Sequence, residues 1–187
     1  NKNKPYGKVD AQFAQVFAQA QEVAQATQGA FDITVAPLIN AWGFGFEDSI
    51  HIDSSTIDSL MQFVGYGKVT LRNGKVEKAR PEIMLDVNAI AKGFSVDQVA
   101  RYLETQDIKN YMVEIGGEIR VRGQNSRQKK WALGIDKPID DPTAAHRELQ
   151  AIVAIDTGSI ATSGNYRRFY IRSEEHTSEL QSLSHIS

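Results

Sequence analysis

Leu85-Asp86-Val87-Asn88-Ala89-Ile90-Ala91-Lys92-Gly93-Phe94-Ser95-Val96-Asp97 is the stretch whose reading decides the fold. An apolar run, Glu82 to Asp86, reads as a strand ending on a carboxylate, and the residues after it take helical spacing from about Ala89 to Glu104, with Ile90, Phe94, Val99 and Leu103 on the buried side. Lys92 falls about one turn into that helix. Downstream, Glu114-Ile115-Gly116-Gly117-Glu118 sets a glycine pair between two strand patterns. A carboxylate at a strand end, a helix start with a lysine and a glycine turn are together a way to present an anionic ligand and its metal.

Outward from this stretch, helices and hairpins mix. Asp10 to Thr27 carries Phe13, Val16, Phe17, Ala20, Val23 and Ala24 at helical spacing, with Asp10 as N-cap. Pro37 belongs early in a short helix after Phe31-Asp32-Ile33-Thr34, and Gly43 and Gly45 break it after Trp42. Ser54 or Ser55 is expected to cap another, with Ile57, Leu60, Met61 and Val64 inward. Lys68–Leu71 and Lys75–Lys78 flank Asn73-Gly74, a hairpin signal. Strands are expected at Tyr111–Ile115, Ile119–Arg122, Trp131–Ile135, Ile152–Asp156 and Arg168–Ile171, with polar loops at Ser126–Lys130 and Asp140–Arg147. The fold class is α+β, with mixed and antiparallel sheets and packed helices, rather than a doubly wound parallel sheet.

The 187 residues, 41% hydrophobic and 24% charged, have the composition of one globular domain or a large part of one. A formal charge of −2 gives no basic field for nucleic acid, and no membrane contact is expected from this segment. The absence of cysteine excludes disulfides, thiolate nucleophiles and cysteine-based metal sites. The stretch from Arg172 through Ser182 resembles a translated sequencing-library adapter, so 172–187 is read as a non-native tail and 1–171 as the domain. Without the tail only His51 and His146 remain, neither in a nucleophile-elbow context, and no P-loop or dinucleotide-binding glycine motif occurs.

Each remaining constellation has a structural and a functional reading. Asp86 either caps the next helix or belongs to an anion and metal site with Lys92, in which the main-chain oxygen of Ala89 can serve a hard cation. Gly93 inside a helix costs about 1 kcal/mol against alanine, which points to close packing there. Gly116-Gly117 is either a tight turn or a place where a flat or anionic ligand meets bare backbone between Glu114 and Glu118. Trp42 is either core or a stacking surface. Asp156 to Arg167, dense in hydroxyls and glycines, is either a polar turn region or a phosphate-facing loop with Arg167 as clamp.

Taken together, Phe31 to Gly45, Leu85 to Asp97, Val113 to Glu118, Trp131 to Pro138 and Ala161 to Arg167 resemble, in order and spacing, the ApbE family of FAD:protein FMN transferases. The resemblance covers essentially all of 10–171. It implies a T-fold-like domain and an enzyme that binds FAD with Mg2+, transfers the FMN half to a threonine hydroxyl of an acceptor protein and releases AMP. Family FAD contacts map to Ala30, Phe31, Asp32, Asp86 and Lys92, and a metal position maps to the main-chain oxygen of Ala89.

The family's N-terminal segment is not found ahead of Asn1. Nor are its C-terminal His-x-Ile-Asp-Pro-like motif, proposed to supply the base, and its Asp-x-x-x-Thr-like metal site. The chain is therefore expected to be an incomplete domain, weak in FAD binding and transfer, and no catalytic residue is assigned within it. Hydrolysis of FAD to FMN and AMP, and flavin binding without turnover, are the alternative activities. Ser159-Ile160-Ala161-Thr162 faintly resembles a flavin-acceptor sequence, with Ile160 in place of its glycine. The resemblance also implies a periplasmic or membrane-anchored lipoprotein.

Overall fold

The computed structural model describes residues 4, 6–44, 53–137 and 148–163, together with two strands at Phe169–Arg172 and Glu175–Ser178. The chain divides into two units, 1–87 and 88–187. Gly45, His51, His146, the Asp140–Arg147 loop and Gly164 to Arg167 lie outside the described residues.

In the first unit, Tyr6–Lys8 (β1) precedes helix α1, Ala11–Ala26. Asp10 caps α1, its carboxylate accepting from the Phe13 amide at 2.7 Å, an interaction worth about 1 kcal/mol. Val16, Phe17, Ala20 and Ala24 form its buried stripe, as the spacing predicts. The helix stops in a Schellman motif, in which the Gly29 amide donates to the Ala24 carbonyl and the Gln28 amide to Gln25, with Gln28 at φ 53. Short helix α2, Ala36–Ala41, carries Pro37 in its first turn and ends at a half-buried Trp42.

Helix α3, Ser54–Met61, forms where a helix is expected, but its cap is Asp53, which accepts from the Thr56 amide at 2.7 Å and the Ser55 hydroxyl at 2.9 Å. Of the inward face expected for it, Ile57, Leu60 and Val64 are half-buried and only Met61 departs. No α3 residue is fully buried, and Met61 is exposed, because the helix meets α2 in only a light contact. Strands Val69–Arg72 (β2) and Lys75–Lys78 (β3) form the expected hairpin, with Asn73 and Gly74 at φ 51 and 68 in the left-handed geometry its two-residue turn requires. β1 adds to the outer side of β3, giving the antiparallel order β1-β3-β2.

The strand expected at Glu82 to Asp86 does not form. The Lys78 ammonium donates to the Pro81 and Ile83 carbonyls, both at 2.7 Å, the Ile83 amide turns back to Arg80, and the Asp86 amide donates to Ile33 at 2.7 Å. With these groups satisfied outside any strand ladder, the segment runs as an ordered coil over a fully buried Ile83.

In the second unit, helix α4, Asn88–Thr105, packs on Tyr111–Ile115 (β4) and Glu118–Arg122 (β5). Its buried residues are Val96 and Ala100, with Leu103 beside them, against Tyr111 and Val113. The expected stripe is thus rotated. Ile90 and Phe94 are half-buried and Val99 is exposed. β4 and β5 pair antiparallel, and β5 pairs in turn with Thr157–Ile160 (β8), a strand in a segment whose polar residues mask any strand period. Trp131–Asp136 (β6) and Leu149–Ile155 (β7) make a separate antiparallel pair with an irregularity at Ile135/Asp136. Phe169–Arg172 (β9) and Glu175–Ser178 (β10) pair likewise. All ladders are antiparallel, no closed barrel forms among the described strands, and the class is α+β. No helix among the described residues is long and apolar enough to cross a membrane.

Candidate functional site

The residues singled out by the sequence fall into two local constructions, one in each unit. In the first, the Thr27 hydroxyl at the end of α1 donates to the Val23 carbonyl at 2.8 Å and accepts from the Phe31 amide at 3.1 Å, so the chain leaves the helix directly into Ala30-Phe31-Asp32. Ala30 is exposed, and Phe31 and Asp32 are half-buried.

Asp32 holds the corner together. One carboxylate oxygen accepts from the Thr34 amide at 2.8 Å and the Thr34 hydroxyl at 2.7 Å, and the other accepts from the Tyr66 amide at 2.6 Å. The buried Thr34 hydroxyl in turn accepts from the Gly65 amide at 2.7 Å. These charge-assisted contacts fix the 31–34 turn against the 65–66 loop. The Asp86 amide on the Ile33 carbonyl then brings Asp86 to the same turn. Ala30, Phe31, Asp32 and Asp86, separated by more than fifty positions in the sequence, therefore converge on one corner.

In the second unit, Ala89 and Lys92 occupy the first turns of α4, three positions apart and so on one side of the helix. The Lys92 ammonium lies 2.9 Å from a carboxylate oxygen of Glu118 and donates to the Gly116 carbonyl at 3.3 Å. Gly116 and Gly117, at φ 58 and 94, form the two-residue turn of the β4–β5 hairpin. A Cβ on Gly116 would sit 3.2 Å from the Lys92 Cδ, so the lysine stem takes the room that the missing side chain leaves. Thr162, exposed after β8, has its hydroxyl 3.8 Å from where a Gly117 Cβ would be, which sets the start of the hydroxyl-rich loop beside the same turn.

Glu118, nearly fully buried, is the residue sequence reasoning passed over as a mere flank of the turn. The only sequence signal was a carboxylate directly after a glycine pair. Behind it, a charge network ties α4 to the sheet. Arg120 bonds Asp97 at 2.8 Å and approaches Glu104 at 3.4 Å, Arg122 approaches Glu104 at 3.3 Å, and the Tyr111 hydroxyl donates to Glu104 at 2.6 Å. The Tyr111 hydrogen bond, with the two guanidiniums, holds the Glu104 carboxyl below its usual range. Burial, then the Glu104 contact, pushes the Tyr111 phenol up. In the first unit, burial lowers Lys78 against the opposing pull of Glu82.

A magnesium ion takes about six oxygen ligands in near-octahedral array. Among the described residues no three His, Cys, Asp or Glu side chains are grouped to hold a metal. Within an α-helix the Ala89 carbonyl is directed at the Gly93 amide, leaving one lone pair for a cation. The described residues therefore do not by themselves make a magnesium site.

Solved structures of similar architecture include flavin transferases. The flavin transferase ApbE from Vibrio cholerae superposes with a TM-score of 0.77 at 36% identity, covering 92% of this chain and 56% of that one. The Pseudomonas stutzeri flavinyl transferase ApbE, in its apo form, gives a TM-score of 0.77 at 27% identity over 95% of this chain and 54% of that one. The ApbE family model matches residues 1–186, and the chain belongs to the ApbE family. Among curated relatives, the FAD:protein FMN transferase of Haemophilus influenzae is 41% identical over 169 residues, 87% of this chain and 48% of the relative. Its namesake in Escherichia coli K12 is 34% identical over 168 residues, 87% of this chain and 47% of the relative. The chain spans about half the length of the curated relatives it matches.

Proposed function

We propose that the protein carrying this chain transfers the FMN moiety of FAD to a threonine hydroxyl of an acceptor protein and releases AMP. The observation that carries this reading is the 41% identity, over 87% of the chain, to a relative named FAD:protein FMN transferase. In the reaction the threonine oxygen bonds to the FMN phosphorus, the phosphoanhydride bond breaks, and AMP leaves with the electron pair while the hydroxyl proton passes to a base.

The contribution of these residues is binding and orientation. The Ala30–Asp32 and Asp86 corner is proposed to contact FAD. Lys92, at the start of α4, supplies positive charge for the pyrophosphate together with the helix N-terminus. A requirement for Mg2+ belongs to the same proposal, with the Ala89 carbonyl as this chain's contribution. A periplasmic or membrane-anchored parent is proposed on the resemblance alone.

The test is incubation of FAD and Mg2+, with and without a threonine-containing acceptor, comparing this chain with a version extended to the relatives' length. AMP release that depends on acceptor, together with a flavin-bearing acceptor, is the expected result for the extended version. AMP without acceptor modification would favour hydrolysis, and saturable FAD binding without AMP would favour a flavin-binding protein.

A further inference from the structure

We propose that Glu118 is the positioning residue of Lys92, holding the ammonium at the start of α4 in the place where it meets an anionic ligand. The proposal rests on the reading of Lys92 as a contact to the pyrophosphate of FAD.

The hairpin register delivers Glu118 to the helix. Residues 111, 113 and 115 of β4 and their partners 122, 120 and 118 of β5 share the sheet face on which Tyr111 and Val113 pack against α4. Along that face the charged residues of β5 pair with α4 at three levels: Glu118 with Lys92, Arg120 with Asp97, and Arg120 and Arg122 with Glu104. The first level differs from the others in two ways. Its polarity is reversed, with the cation on the helix and the anion on the strand. It is also the most buried, Glu118 having a side-chain exposure of 3% against 28% for Arg120 and 48% for Arg122.

Lys92, the fifth residue of α4, lies one turn in from the end at which free backbone amides favour an anion. Its ammonium is thus held where it can meet the same anion as those amides. The buried Glu118 carboxylate restricts a long, flexible side chain to that one place. The turn cooperates, since the stem of Lys92 crosses Gly116 where any Cβ would press on it, and the Gly116 carbonyl takes a second contact from the ammonium.

The experiment uses the 187-residue chain and two readouts. Reductive methylation followed by peptide mass spectrometry reports the accessibility of each lysine amine. Fluorescence titration reports affinity for FAD and for riboflavin, which lacks the phosphates. In E118Q, Lys92 is expected to label about tenfold faster, as befits the loss of one buried charge-assisted contact. FAD affinity should fall in both E118Q and K92M, riboflavin affinity should hold, and the double variant should bind FAD no more weakly than K92M.

G116A is the second variant, displacing the lysine stem with the carboxylate intact. It is expected to raise Lys92 labelling as well, so the proposal stays testable if E118Q does not fold. Equal Lys92 labelling in the wild type and in the folded variants would overturn the positioning role. So would a loss of FAD affinity from E118Q that persists undiminished in the K92M background. If K92M leaves FAD affinity unchanged while E118Q still exposes the amine, the flavin reading beneath the proposal fails, and the labelling shows that it is that reading which failed.

Discussion

Replacing Asp32 by asparagine should unlatch the corner on which four of the candidate residues converge. The carboxylate accepts three hydrogen bonds at 2.6–2.8 Å, two from Thr34 and one from the Tyr66 amide. Asparagine keeps one acceptor for Thr34 but turns an NH2 group toward the Tyr66 amide, setting donor against donor, and removes the charge from the remaining contacts. A hydrogen bond to a charged group contributes about 1.5–3 kcal/mol net, and a part-buried donor left unmet costs about 1–3 kcal/mol, so Asp32→Asn should cost about 3 kcal/mol. With a urea slope of about 1.5 kcal/mol per molar, the midpoint moves down by about 2 M. Trp42 lies in the first unit and Trp131 in the second, so a Trp131→Phe background lets Trp42 fluorescence report the first unit alone. Thr34→Val, which strands the Gly65 amide, completes a double-mutant cycle with an expected coupling near ~1 kcal/mol. A loss below about 0.5 kcal/mol for Asp32→Asn, the range of ordinary surface changes, would refute the view that Asp32 organises the turn.

Acid should weaken the second unit through Glu104. Its carboxyl is held below the ordinary glutamate value, foremost by the Tyr111 hydrogen bond, so its contribution is present above that ordinary value and is lost as pH falls through the lower folded one. Tyr111→Phe should therefore flatten the acid limb of stability measured from pH 6 downward, and identical acid slopes in the two proteins would contradict this. Ile83→Ala, at a fully buried side chain in coil, should cost about 3 kcal/mol by the same Trp42 assay, as in a regular core. A cost under about 1 kcal/mol would show that the 82–86 segment is not anchored.

Legibility in the sequence followed the range of the interactions. Helix α1, with its cap and its 3.6-residue stripe, and the Asn73-Gly74 hairpin are local, and they were readable. So was the Gly116-Gly117 turn. The strand expected at 82–86 was lost to partners that no period reveals: a lysine from the preceding strand and the carbonyl of Ile33, about fifty residues back. On α4, the apolar residues are too evenly spread for spacing alone to choose between the 90/94 face and the 96/100/103 face, and packing on Tyr111 and Val113 settles it. β8 went unread because its serine, threonine and glycine read equally as a turn. At the candidate site, the motif residues were named from family resemblance, whereas the contacts of Asp32 with backbone amides and of Glu118 with Lys92 join residues distant in sequence and have no local signal.

Under the proposed function the FMN half of FAD goes to the acceptor and the AMP half leaves. Two FAD preparations, one carrying radioactive phosphorus on the riboflavin side of the pyrophosphate and one on the adenosine side, test it directly with the chain extended to the relatives' length. The account expects acceptor-bound label only from the riboflavin-side preparation, with free labelled AMP from the other. Label in the acceptor from the adenosine side, or none from either, would contradict it.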